Sequence, residues 1–306
     1  MKISSYNEWD SLKEIIVGSA DYANWPVHDP VFVAEGKNSL WKETPPPSGP
    51  VPQHIIDETN QDLETLCNTL TELGVIVHRP DFLNFQTHDG LYNYCPRDRL
   101  LVYGNTVVNP AMMYPCRDME LQCYHDMVDA AENYLFMPRH EGLVLDAANV
   151  LKLNDKMLYL ESSSGNQAAY HWLCKQFPKV KIELCNFYSG VHIDSTITPL
   201  RDGLVLLNGS RVNETNCPAV FKNWDKIYID EVVAQDFYQY PYASKWIALN
   251  MLVIDPHTVI VDKNQTDIIH KLEKQSFTVI PLELRHSRTL GGGFHCVTLD
   301  IRRQHD

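Results

Sequence analysis

No apolar run in this chain approaches the ~20 residues that a membrane-spanning helix needs, so a spanning protein is excluded. Eight cysteines are present (Cys67, Cys95, Cys116, Cys123, Cys174, Cys185, Cys217, Cys296), yet none form a CxxC pair. A zinc ribbon or a thioredoxin-type dithiol therefore has no footing. A disulfide scaffold is a device of small secreted chains, and this one has 306 residues. Positive charge is short: 26 lysines and arginines face 39 aspartates and glutamates, a net charge of −13. That balance repels phosphate backbones and counts against nucleic acid; it suits a cationic small molecule. The opening residues carry neither an apolar signal core nor an Arg/Ser-rich amphipathic stretch, so a cytoplasmic setting is expected. Glycine is sparse, 14 in all, yet Gly291, Gly292 and Gly293 stand in a row.

What is present is a globular composition, 44% hydrophobic and 21% charged, enough for a sizeable core. Residues 1–306 read as a single α/β domain. Residues 24–53 carry Pro26, Pro30, Pro45, Pro46, Pro47, Pro50 and Pro52, and read as an irregular lid or binding loop. Beyond it a pattern repeats. A helix over 54–73 places Ile56, Leu63, Leu66, Leu70 and Leu73 on one face. A hairpin turning at Gly104-Asn105, a helix at 119–135, a hairpin at 150–160, a helix at 165–177 and a strand at 180–184 follow. Hairpins at 195–207 and 247–261 come next, the former followed by a weakly patterned helix and a strand at 226–229, the latter leading to a helix at 265–275 and a strand at 277–281. The first strand (14–17) and the last (297–301) lack neighbours in sequence, so they are expected to pair with each other. Five hairpin–helix–strand units of about 50 residues result, a period typical of radial arrays.

A polar residue precedes each hairpin: Asp98, Asp146, Asp194, Ser244 and Cys296, at intervals of 48, 48, 50 and 52 residues. In a radial array equivalent positions face the common axis, so these five should meet. Singly, each aspartate has an ordinary reading as a turn or cap residue; their common phase favours function. Cys296, after the glycine run, is the candidate nucleophile. Its thiol needs a base or a positive neighbour. His192 fits, lying two residues from Asp194, so that in a strand both side chains point one way. His295 would then point away from Cys296. Asp146 is the candidate orienter of His192. Asp98 and Asp194 remain, and paired carboxylates match the N–H fork of a guanidinium. A His-x-Asp pair with a cysteine also suits a metal, but no spacing supplies further ligands, so no metal is expected.

At these residues the chain resembles the amidinotransferase family of the pentein superfamily. The resemblance spans nearly the whole length. It rests on Ser5-Tyr6-Asn7-Glu8-Trp9-Asp10, Pro96-Arg97-Asp98, Asp146-Ala147-Ala148, His192-Ile193-Asp194, Ser244-Lys245-Trp246, Gly291-Gly292-Gly293-Phe294-His295-Cys296 and the tail residues Asp300, Arg302 and Arg303. It implies the pentein fold, a five-bladed α/β propeller with pseudo-fivefold symmetry. It implies L-arginine as amidino donor, an acceptor amine, a ping-pong reaction through an amidino-cysteine, and no cofactor. By the same resemblance Cys296 is the nucleophile, His192 the acid/base and Asp146 its partner. Asp98 and Asp194 grip the guanidinium, Arg211 binds a carboxylate and Ser244 contacts substrate. A homodimer is suggested by the resemblance alone.

Three stretches depart from the animal glycine enzymes of that family. The segment before Asp146 is shorter, Ser189-Gly190-Val191 replaces a proline-centred motif, and Asn149 stands where an acid is expected. The middle one adjoins His192, which makes Ser189 and Val191 candidate substrate contacts. Glycine, lysine and a natural-product amine all stay open as acceptor. The alternative readings are a deiminase or dihydrolase of the same fold, in which water replaces the amine, and a binding protein that kept the fold.

Overall fold

The computed structural model describes residues 2–38, 45–188, 190 and 192–304; Ser189 and Val191 lie outside the described residues. The fold is mixed α/β. Five three-stranded sheets follow one scheme, an antiparallel pair extended by a third, parallel strand. Four run in order along the chain. Leu101–Tyr103 and Thr106–Asn109 pair with Asn133–Phe136. Val150–Leu153 and Lys156–Leu160 pair with Lys181–Cys185. Ile197–Arg201 and Leu204–Asn208 pair with Asp225–Ile229. Leu252–Asp255 and Thr258–Asp262 pair with Thr278–Leu282. In the fifth, Ser11–Val17 pairs antiparallel with Thr298–Gln304 and parallel with Ile76–His78. The two strands left without sequence neighbours therefore complete one sheet together.

Turn chemistry sets the hairpins. At 154–155 the tight turn needs a left-handed residue, and Asn154 supplies it with φ of 62°. Helix α1 spans Pro30–Asn38 and α2 spans Gln53–Glu72. Helix α2 buries Ile56, Leu63, Leu66 and Leu70. Leu73 falls outside that face: it caps the helix and is exposed.

Two further expectations are corrected. The segment 24–53 is not irregular throughout. Pro30 sits at the helix start, where its missing N–H costs nothing, and the short strands Asn24–Trp25 and Gly49–Pro50 pair at its ends. The helix expected at 119–135 is a 3₁₀ segment, Pro115–Tyr124, then a short helix, His125–Ala130. Residues 133–136 form the third strand of their sheet, because Tyr134 and Leu135 pair beside Val107 and Val108.

A buried ionic cluster ties the chain's two ends to the middle. Asp300 accepts from Arg97, from Lys152 Nζ at 2.7 Å and from Arg303 Nε at 3.1 Å. Ser5 donates to the same carboxylate. Lys152, Arg303, Arg97 and Asp300 are all at most 4% exposed, so every charge depends on its partners. The tail that marked the resemblance is thus a structural lock.

Candidate active site

Residues 294–297 form a turn that drives the Cys296 side chain into a cavity of about 400 Å³. Glycines make this turn fit. A Cβ on Gly292 would lie 2.5 Å from Cys95 Sγ, and one on Gly293 would lie 2.8 Å from the Asn250 carbonyl oxygen. The run therefore makes room for protein atoms rather than for a ligand. Asn250 fixes the turn: its Oδ1 accepts from the Cys296 N–H at 2.8 Å, and its Nδ2 donates to the Asp194 carbonyl at 3.3 Å.

One polar residue from each unit, Asp98, Asp146, Asp194, Ser244 and Cys296, lines this same cavity, as does His192. The common phase in the sequence is thus a common location. His192 lies between two carboxylates. Its Nε2 is 3.1 Å from Asp146 Oδ2 and its Nδ1 is 3.5 Å from Asp98 Oδ1. Burial alone would lower its pKa, but the Asp98 charge and the Asp146 hydrogen bond win and raise it well above the ordinary value. Cys296 Sγ donates to Asp194 Oδ2 at 3.2 Å. Contact with the Cys95 thiol, burial and the Asp194 charge push the Cys296 thiol well up, against the pull of His192. Both directions favour the protonated forms, thiol and imidazolium.

Asp98 and Asp194, each 3% exposed, flank the sulfur. Arg117 Nη1 donates to Asp98 Oδ2 at 2.8 Å while its other nitrogens grip Glu120. His295 Nδ1 lies 2.8 Å from Asp194 Oδ2. Burial works against ionisation of Asp194, but the His295 hydrogen bond and charge hold its pKa at about 2. Oδ1 of Asp98 and Oδ1 of Asp194 are both buried without a hydrogen-bond partner. Buried acceptors left unpaired are costly, which marks the space between them as a place for an N–H-bearing cation.

Asp98, His192 and Cys296 also bring one ligand atom each within 4.8 Å of one another. Arg211, half-buried, lies over the Tyr188 ring at 4.5 Å and donates to Thr196 Oγ1 at 2.8 Å. It makes no ion pair among the described residues and faces the cavity.

Sequence reasoning placed His295 away from the site, assuming an extended segment; because the segment turns, His295 and Cys296 both reach Asp194 Oδ2. His192 and Asp194 also share the cavity without sharing a strand, since residues 192–196 bend and turn. Asn250, Arg117 and Glu8 were missed. Glu8, inside the Ser5–Asp10 motif, lies 3.3 Å from His295 Nε2; its presence in that motif was the one available signal.

No family model matches the chain. The chain is 40% identical to the inosamine-phosphate amidinotransferase 1 of Streptomyces glaucescens, over 98% of this chain and 97% of that protein. It is 28% identical to the mitochondrial glycine amidinotransferase of Xenopus tropicalis, over 99% of this chain and 83% of that protein. Among solved structures, the inosamine-phosphate amidinotransferase of Streptomyces griseus superposes with a TM-score of 0.92 at 38% identity, covering 99% of this chain and 97% of that one.

Proposed function

This chain belongs to the amidinotransferase family, and from that premise we propose that it moves the amidino group of L-arginine to an acceptor amine through an amidino-cysteine on Cys296. The observation that carries the proposal is the pair of oxygens that accept no hydrogen bond, Oδ1 of Asp98 and Oδ1 of Asp194, beside the sulfur. We read the five like sheets as the blades of the pentein propeller; one polar residue per unit around one cavity supports that arrangement.

The chemistry follows from the charges. At rest the thiol is protonated and His192 is cationic. An arriving guanidinium lays its N–H groups against Asp98 and Asp194. Its positive charge offsets the acids that had held the thiol up, so the thiol gives its proton to solvent and the thiolate attacks the guanidino carbon. The His192 imidazolium protonates the departing amine nitrogen, the C–N bond breaks and ornithine leaves. The amidino-cysteine keeps its positive charge between the carboxylates. An acceptor amine enters, attacks the same carbon and loses a proton to the now neutral His192. The C–S bond breaks and the new guanidine departs. One imidazole thus serves twice in a ping-pong cycle. Asp146 positions His192, Arg211 takes the donor carboxylate and Ser244 contacts substrate.

A hydrolase would use the same five residues; the 40% identity to a named amidinotransferase favours transfer. Relatives named for inosamine phosphate and for glycine make a phosphorylated aminocyclitol and a small amino acid candidate acceptors. Incubation with arginine, with and without amines, separates the two chemistries. Ornithine released only when an amine is present supports transfer; citrulline formed without any amine supports hydrolysis.

A further inference from the structure

Above the reacting groups the cavity wall is aromatic. Phe32, on α1, meets Tyr114 edge-on with ring centroids 5.3 Å apart and lies near-parallel to Tyr242 at 6.1 Å. All three rings line the cavity. Glu35 lies three residues beyond Phe32 on the same helix face, lines the cavity too, and has no ion-pair partner among the described residues. Its charge is felt by Tyr114, one of the causes, after burial, that hold that phenol up. An aromatic wall with one carboxylate is the setting that binds an alkylammonium, through ring faces and charge together.

Positive charge for an anion is scarce here. Among the described residues, the guanidinium groups on the cavity are those of Arg117 and Arg211. Arg117 is consumed by Asp98 and Glu120. Arg211 is the group assigned above to the donor carboxylate, and it is free again once ornithine has left. Resting on the amidino-transfer reading, we infer that the acceptor is an amine carrying a second positive group, and that Glu35 with Phe32, Tyr114 and Tyr242 selects it.

The test begins with hydroxylamine, a small nucleophile that asks nothing of the outer wall. Arginine plus hydroxylamine must release ornithine; if it does not, the transfer reading itself fails, and the acceptor assignment goes with it. With ornithine release in hand, kcat/KM is measured for putrescine against n-butylamine. Putrescine should exceed butylamine by about tenfold or more. In Glu35→Gln the putrescine-to-butylamine ratio should drop toward one, while Glu35→Asp keeps most of it. Refusal of putrescine while hydroxylamine reacts overturns the inference. So does a Glu35→Gln variant that raises the KM for arginine but leaves the amine ratio intact, since the carboxylate would then belong to the donor.

Discussion

Two buried ionic clusters lie back to back in this protein, and they differ in one respect. Around Asp300 both carboxylate oxygens accept hydrogen bonds, from Arg97 on one and from Ser5, Lys152 and Arg303 on the other. Around Cys296, Asp98 and Asp194 each keep one oxygen without a hydrogen bond, that of Asp98 facing His192 at 3.5 Å. The first cluster leaves one donor, Arg97 Nη2, without a hydrogen-bond partner but no acid oxygen on Asp300; the second opens onto a space of about 400 Å³. Buried acids mark function only when part of their bonding capacity is kept for something that comes and goes. His295 joins the clusters, with Asp194 at one nitrogen and Glu8 at the other, and Glu8 lies 3.7 Å from Arg97.

Substitutions should separate the two. Cys296→Ser should lower amidino transfer by more than about a thousandfold while leaving the melting temperature near that of the parent; a matching loss of stability would merge the clusters into one role. Asp300→Asn should do the reverse. It strands Arg97, Lys152 and Arg303 in the core, at a cost of roughly 3–5 kcal/mol in denaturant unfolding. The same cluster has a pH signature. Asp300 is held well below the usual carboxylate range, and Glu8 at about 2, because the neighbouring cations outweigh burial. Their stabilisation is complete above the unfolded-state values near ~4 and is lost as the pH falls below them. Unfolding free energy should therefore decline on acidification across that window, and the Asp300→Asn variant should decline less.

A subtler break concerns His192. Asp146→Asn should slow turnover by roughly a hundredfold. The Asp146 carboxylate raises the His192 pKa; without it the imidazolium loses its proton at lower pH. The alkaline limb of the rate profile should accordingly move toward acid, and an unmoved limb would show that Asp146 does not act through His192. The smallest effect is read on the free enzyme. With the Cys296 thiol held high, alkylation by iodoacetamide should rise by about tenfold per pH unit between pH 7 and 9. A plateau in that range would mean that the thiolate exists before substrate arrives.

Much of this was legible from residue spacing. The hairpins announced themselves through their turn residues, and the common phase of Asp98, Asp146, Asp194, Ser244 and Cys296 anticipated a shared cavity. Periodicity failed where local propensity and tertiary pairing disagree. Residues 133–136 extend a helical pattern but are claimed by a sheet edge, and the proline-rich segment hides a helix because proline is harmless at a helix start. Side-chain direction was also beyond reach where a strand was assumed and a turn was found, as at His295. Arg117 and Asn250 were missed because their roles exist only across distant contacts. Arg117 shares Asp98 with His192, and Asn250 holds a residue 46 positions away.

One feature of the fold bears on how the protein is made. Ser11–Val17 finds its antiparallel partner only in Thr298–Gln304, so during synthesis that early strand waits with a bare edge until the segment after Cys296 has emerged. Exposed edges invite pairing with other chains, and contacts this distant in sequence form slowly. The nascent protein should therefore lean on holding chaperones late in translation. Its nucleophile would be set in place by the same closing event that ends that dependence.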